Sequence, residues 1–226
     1  MKFSIITITH NRAHLIEETI DSVLKQTYQD FEMVIVDDGS TDNTELVVSS
    51  YIKKHNNKFK YISCDRIGKP SALRNIAIEN SIGEVLTILD SDDLWLPTKL
   101  EEIYTIFSKR NEVQFVFHNL RHFIKTNQPT EPYYKYSNSF YKNILPELLK
   151  GEILAFPVFS MRRSLIEEIG TVNENVIEGQ NEYYLKTASL YKIYYHNQPL
   201  TLMRRHDQNL TKNFDITHTI DTLITY

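Results

Sequence analysis

The sequence predicts an α/β fold built on a largely parallel central sheet, and three observations lead there. Short apolar runs rich in β-branched residues recur between Lys2 and Lys99, each too short for a helix. Amphipathic stretches of helical period separate them. Several runs open directly into polar clusters: "THNR" (Thr9 to Arg12), "DDGS" (Asp37 to Ser40) and "DSDD" (Asp90 to Asp93). Alternating strand and helix winds such a sheet on both faces. Ligands then bind beyond the carboxyl ends of the strands, where these three clusters converge.

The elements follow in order. "FSIITI" (Phe3 to Ile8) is a strand covered on both faces. "NRAHLIEETIDSVLKQ" carries Leu15, Ile16, Thr19, Ile20, Val23 and Leu24 at helical spacing, with Asn11 as its expected N-cap. "FEMVIV" (Phe31 to Val36) is the second strand. Asp42 and Glu45 resemble a capping box opening the helix "TELVVSSYIKKH". "KFKYIS" is a third strand, and "KPSALRNIAIENSIG" a helix with Pro70 in its first turn and Gly83 as its stop. "EVLTIL" (Glu84 to Leu89) is the fourth strand and delivers the aspartates. Beyond it the pattern loosens. "KLEEIYTIFSKR", "SLIEEIG" (ended by Gly170) and "NEYYLKTASLY" read as helices, "VQFVFHNL" as a strand, and "KIYYHNQPLTLMRR" as a strand pair broken at Pro199. Asn127 to Asn143 is polar, proline-bearing and tyrosine-rich, and reads as a loop or lid.

Composition sets limits. The 226 residues suit one compact domain, and 41% apolar with 24% charged residues is ordinary for a globular chain. A net charge of -4 offers no basic field for nucleic acid. A single cysteine, Cys64, excludes an internal disulfide and fits a reducing compartment. No apolar run approaches a membrane span, and the N-terminal run is too short for a signal peptide. The expectation is a soluble cytoplasmic chain, with peripheral contact at the inner face of a membrane left open.

Asp90 and Asp92 stand two apart where a strand becomes a loop, so their side chains point the same way. Two hard oxygen ligands aimed together suit Mn²⁺ or Mg²⁺. Capping of the next turn accounts for one aspartate; three crowded carboxylates repel and need a further reason. An EF-hand loop is excluded, because its obligatory glycine position holds Trp95. A receiver domain of a signalling relay shares the early acidic pair Asp37 and Asp38. The distance from Asp93 to Pro97 is off by one for it, and the chain is too long.

"FSIITITHNRAHLIEETIDSVLKQTYQDFEMVIVDDGSTDNT" followed by "GKPSALRNIAIENSIGEVLTILDSDDLWLP" closely resembles the family-2 glycosyltransferases, almost without interruption from Lys2 to Lys99. The resemblance implies a Rossmann-like A-type glycosyltransferase fold with a less regular acceptor-side half. It implies one domain over 1–226, with 1–99 binding the nucleotide sugar and 100–226 the acceptor. It places Thr9 and Arg12 beside the nucleotide, Asp38 on the base (usually uracil), and Lys69 on the donor or its phosphates. Asp90 falls on the ribose or metal side, Ser91 in the same donor-binding box, and Asp92 as ligand of Mn²⁺ or Mg²⁺. The implied activity is inverting transfer from a nucleotide-diphosphate sugar, most simply a UDP-sugar, to a glycan or lipid-linked glycan.

The later segment resembles the family less closely. "RRHDQN" puts His206 where the family has a histidine near the diphosphate and metal. The family's catalytic aspartate, the general base, falls on Gln180 or Asn181 by two different counts, and an amide accepts no proton at neutral pH. Glu182 is the nearest substitute base; supporting the first helical turn is its plainer reading. A nucleotide-sugar-binding homologue without transfer activity is the alternative. Arg74 reads equally as a site residue or a structural ion pair, and Asp37 as a cap of the turn before Gly39. Trp95 fits a lid, a sugar platform or plain core. Tyr133, Tyr134, Tyr136 and Tyr141 fit an acceptor surface or loop anchors.

Overall fold

The computed structural model describes residues 1–55, 57–124, 128–154, 156–174 and 179–205. In chain order the elements are β1 (Phe3–Thr9), α1 (Ile16–Leu24), β2 (Phe31–Asp38), α2 (Thr44–Lys54), β3 (Phe59–Cys64), α3 (Pro70–Glu79), β4 (Val85–Ile88) and β5 (Leu94–Trp95). Then come α4 (Lys99–Lys109), β6 (Phe115–Phe123), β7 (Phe140–Lys142), α5 (Leu145–Leu149), β8 (Phe159–Arg162), α6 (Arg163–Ile169), α7 (Gly179–Leu190) and β9 (Ile193–Arg204). One sheet runs in the order β3-β2-β1-β4-β8-β6-β9-β5, with β7 beside the first part of β9.

The first four strands are mutually parallel, as the alternation predicts. Period-two alternation sorts their side chains onto two faces. Ile5, Met33 and Ile35 pack beneath α1 and α4 with Ile16, Ile20, Leu100 and Phe107. Ile6, Val34, Val36 and Ile88 face the other way, into an aromatic core with Phe115, Phe117, Tyr184 and Tyr195. α1 buries Ile16, Ile20 and Val23 and turns Glu17 and Glu18 outward, which is why the segment folds as a helix here. β8 then joins β4 antiparallel, from Val85↔Arg162 to Thr87↔Ser160, so the sheet passes without a seam into the second half.

Several local expectations are corrected. Asn11 is not an N-cap: α1 starts at Ile16, and Asn11 adopts a left-handed backbone with φ 51°. Asp42 and Glu45 form no capping box. α2 has Asn43 as its cap residue, and Asp42 accepts the Thr44 N–H at 2.9 Å instead. Gly83 does not end α3, which stops at Glu79. It is a close-approach glycine: a Cβ there would lie 2.5 Å from the Ser4 nitrogen. Pro199 breaks no pair. β9 is one strand with a bulge, because His118↔His196 is followed by Asn119↔Pro199 and Leu120↔Thr201. Proline is tolerated there because a bulge has no ladder bond to lose. The far end of the Asn127 to Asn143 loop forms β7, while Asn127 itself lies outside the described residues. Gly170 ends α6 as expected, with φ 78°.

Candidate active site

The carboxyl edge of the parallel strands is a set of loops fastened to one another. The turn after β1 meets the turn after β2: the Asn11 N–H donates to Ser40 Oγ at 2.8 Å, and Asn11 Oδ1 accepts the Thr41 N–H at 2.8 Å. The Arg12 N–H donates to Thr44 Oγ1 at 3.0 Å. Asp37 closes the β2 turn as expected, accepting the Ser40 N–H at 2.9 Å. Gly39 has φ 65°, and a Cβ there would stand 2.9 Å from the Arg66 nitrogen, so both conformation and space require glycine. Thr9 Oγ1 is buried at this edge without a hydrogen-bond partner among the described residues.

Asp38 is buried and holds the next loop. Its carboxylate accepts the N–H groups of Ile67 (2.6 Å) and Gly68 (3.1 Å) and pairs with Arg66. That loop leads to Lys69, which is exposed at the start of α3. His10 lies nearby, and burial together with the Arg66 charge lowers its pKa.

The "DSDD" segment forms a tight turn in which the Asp93 N–H donates to Asp90 O at 3.1 Å. Its three aspartates do different work. Asp93 is 4% exposed, and its Oδ1 accepts the Arg204 N–H at 2.8 Å, so it is a tether. Burial raises its pKa well above the usual carboxylate range, and the Asp92 and Asp90 charges add to the rise. The side chains of Asp90 and Asp92 stay 31% and 16% exposed, and each is faced by a guanidinium. Arg74 Nη2 is 3.5 Å from Asp90 Oδ1, and Arg12 Nε is 3.9 Å from Asp92 Oδ2. Burial raises the Asp90 pKa; Arg74 opposes the rise and Asp92 reinforces it. Ser91 is buried in the turn, and its carbonyl oxygen lies 3.0 Å from Thr19 Oγ1 on α1.

These residues fit a divalent ion. Asp90 and Asp92 are hard oxygen donors, accessible and mutually repelling, the condition a cation relieves. Among the described residues, no group of three or more His, Cys, Asp or Glu side chains assembles that could hold a metal. The described residues would offer such an ion carboxylate oxygens, as suits a cation that also takes diphosphate oxygens and water. His206 lies outside the described residues.

Arg74 joins the two halves of the chain. It is 8% exposed and, besides Asp90, donates through Nη1 to Gln180 Oε1 at 3.0 Å. Arg74 forms an ion pair, and that pair lies at the candidate site. Gln180, one of the two amides at the expected base position, is brought to this pair. Glu182 is buried at the start of α7, with Oε2 accepting the Asn173 N–H at 2.8 Å and Oε1 2.6 Å from Lys186 Nζ. Asn75, the neighbour of Arg74, grips the same region: its amide donates to Val172 O at 2.8 Å and accepts the Val172 N–H at 3.2 Å.

Trp95 is core: it is 3% exposed, with Lys99 Nζ 3.9 Å above its ring. Tyr134 is buried, while Tyr133 and Tyr136 pack against the aromatic core as loop anchors. Tyr141 donates to Glu112 O at 3.0 Å. The sequence pattern assigns no site role to Glu18 or Tyr61, and marks Thr19 only as a residue of the helix's buried face. The Tyr61 hydroxyl donates to Asp37 Oδ2 at 2.5 Å, and Glu18 pairs with Arg204. No spacing rule links residues 186 positions apart, though an acid on the outer face of α1 beside a buried threonine was visible.

Comparison with known proteins agrees with this geometry. An uncharacterized glycosyltransferase of Nostoc sp. is 40% identical over 120 residues, covering 53% of this chain and 37% of that protein. A UDP-Glc:alpha-D-GlcNAc-diphosphoundecaprenol beta-1,3-glucosyltransferase of Escherichia coli is 34% identical over 116 residues, covering 51% of this chain and 44% of that protein. This chain therefore spans less than half the length of these curated relatives. Among solved structures, S. aureus TarS 1–349 in complex with UDP-GlcNAc superposes with a TM-score of 0.75 at 21% identity, over 95% of this chain and 62% of that one. A mannosyltransferase from Pyrobaculum calidifontis in complex with GDP-Man and Mn²⁺ superposes with a TM-score of 0.70 at 19% identity, over 100% of this chain and 64% of that one. Residues 4–170 match Glycosyl transferase family 2. The parallel sheet, the fastened loops at its carboxyl edge and this match lead to one conclusion: the chain belongs to glycosyl transferase family 2 and carries the A-type glycosyltransferase fold.

Proposed function

We propose that this chain is the catalytic domain of a metal-dependent inverting glycosyltransferase. It takes a nucleotide-diphosphate sugar, most simply a UDP-sugar, and transfers the sugar to a glycan or lipid-linked glycan. The observation that carries this is the accessible carboxylate pair Asp90 and Asp92, flanked by Arg74 and Arg12 at the carboxyl edge of a parallel sheet. The relatives support it, since one is named for a UDP-Glc donor and a diphosphoundecaprenol acceptor.

In this reading the nucleoside lies over the turns after β1 and β2, near Thr9, Arg12 and Asp38, with Lys69 on the donor's phosphate side. For Asp38 to meet the base, it exchanges a loop N–H for a base N–H. Asp90, Ser91 and Asp92 present the diphosphate, and Asp92 with His206 would hold Mn²⁺ or Mg²⁺. When bound there, the ion would supply positive charge against the negative charge gathering on the leaving diphosphate. Arg12, beside Asp92, adds a fixed positive charge to the same oxygens. The acceptor hydroxyl attacks the anomeric carbon, the bond to the diphosphate breaks, and the proton passes to a base. Glu182 is the base offered, and to act it must release the Asn173 N–H or Lys186. No described helix is long and apolar enough to cross a membrane. In this reading a lipid-linked acceptor would be met by peripheral contact at the inner, cytoplasmic face.

Titration calorimetry with UDP, with and without Mn²⁺, tests donor binding; affinity indifferent to the ion rejects the metal. A second reading rests on Glu182 being doubly engaged while Gln180 stands at Arg74: a donor-binding homologue without transfer. A donor panel assayed for UDP release separates the two. Release that is abolished in Glu182→Gln supports the transferase with that base, and absence of release from every donor supports the binding protein.

A further inference from the structure

The crowded turn that carries Asp92 needs something behind it, and the end of β9 supplies it. Arg204 contacts the turn twice through different groups: its backbone N–H donates to Asp93 Oδ1 at 2.8 Å, and its Nε donates to Asp92 O at 2.9 Å. Its Nη2 lies 2.5 Å from Glu18 Oε2 on α1, and the guanidinium stands 4.7 Å over the Phe123 ring. The side chain is only 12% exposed. The next residue of α1, Thr19, sets its hydroxyl 3.0 Å from Ser91 O and 2.9 Å from Asp93 O. The turn's backbone is thus gripped from α1 on one side and from β9 on the other.

Two physical consequences follow. Carboxylates crowded into one turn repel one another, and an adjacent guanidinium lowers that cost without occupying the outward faces of Asp90 and Asp92. A planar fork also fixes direction: Nε meets Asp92 O while Nη2 meets Glu18, which a lysine ammonium on a flexible stem cannot reproduce. We propose that Arg204, oriented by Glu18, is the positioning residue that holds Asp92 ready for the metal–diphosphate unit, coupling the donor turn to the last strand of the second half. This rests on the reading that Asp92 is the metal ligand.

The test measures UDP affinity in Mn²⁺ and in EDTA for wild type, Arg204→Met, Arg204→Lys and Glu18→Gln, with thermal melts alongside. Positioning partners of metal ligands shift affinity by about 10- to 100-fold. Arg204→Met is expected to lose UDP affinity by about that factor in Mn²⁺ while its affinity in EDTA stays at the wild-type level. Arg204→Lys should fail to restore it. Glu18→Gln should lose less, in the same direction, and should add little to Arg204→Met, because the two act through one contact. Equal losses in Mn²⁺ and EDTA, or full rescue by lysine, would overturn the inference while leaving the metal reading intact. A wild type whose UDP affinity ignores Mn²⁺ overturns both. If Arg204→Met does not fold, the exposed Glu18→Gln and the charge-preserving Arg204→Lys carry the same comparison.

Discussion

The two halves of the sheet are built from different materials. From β1 to β4 the strands are parallel and their central positions are aliphatic, with Ile5, Ile6, Val34, Ile35, Val36 and Ile88; the buried rings Phe3, Phe31 and Phe59 stand at the strand starts. From β6 to β9 the strands run in mixed directions and the interior is aromatic. Phe117 sits 4.9 Å from Tyr195, 5.7 Å from Tyr184 and 5.8 Å from Tyr134. An aliphatic parallel half is specified by local period, because each strand–helix unit repeats the last. An aromatic mixed half is specified by interlocking shapes from distant segments. The donor edge belongs to the first half, and two of its contacts, Gln180 on Arg74 and Arg204 on the Asp92 turn, come from the second.

The largest test of that contrast is Phe117→Ala. Truncating a buried phenylalanine costs about 3–5 kcal/mol. Because β4 is bonded to β8, one cooperative transition is expected, with UDP binding and the tertiary aromatic signal lost at the same denaturant midpoint. UDP binding that outlasts the aromatic signal would show two separable units, and the contrast would then be one of domains.

Why the first half was legible and the second was not has a physical answer. Phe3 to Ile8 and Phe31 to Val36 are short β-branched runs that serve no other structure, and the polar exits after them follow from the sheet edge. Asp90 and Asp92 stood out because crowded carboxylates need a cation. Caps were misread because Asn11 bonds to a neighbouring loop rather than to the helix ahead of it, and because Asp42 divides its carboxylate between Ala13 of that loop and Thr44 at the start of α2; sequence spacing sees only the helix. The bulge at Pro199 was missed because it depends on Asn119, whose side chain accepts the Leu120 and Tyr134 N–H groups at 2.9 Å. The base position stayed ambiguous because the counts from either side disagree by one residue. The structure shows Gln180 turned to Arg74, and Glu182 to Asn173 and Lys186.

Asn75→Ala probes the brace between the halves at a smaller scale. It leaves the buried N–H and C=O of Val172 without their partner, at a cost of about 1–3 kcal/mol. Chemical denaturation should register that loss while UDP affinity holds, because the donor turns are fastened by other bonds. A loss of UDP affinity matching the loss of stability would mean that the brace also shapes the donor edge.

The smallest effect concerns acid, and it sets one group in each half against the other by sign. His122, near the end of β6, has its pKa lowered to about 4 by burial and by Arg205, whose Nε donates to Nδ1 at 3.1 Å. The unfolded chain takes up this proton near pH 6.5, and the folded chain only near pH 4. Between those values the unfolded state binds more protons, so this histidine's contribution to stability falls as pH falls. In the first half, Asp90 and Asp93 have raised pKa values and act in the opposite direction, since the folded state protonates first. Total stability against pH therefore mixes the two, and the difference between wild type and His122→Gln isolates one. His122 is half-buried, so screening holds its share to about 1 kcal/mol across the window. His122→Gln should be less stable than wild type at pH 7, because it loses ring contacts with Tyr133 and Phe156. The gap should narrow between pH 6.5 and 4, as wild type alone loses this histidine's contribution. A gap that stays constant over that window would mean that His122 protonates alike in both states, and that the second half carries no acid sensitivity at this strand.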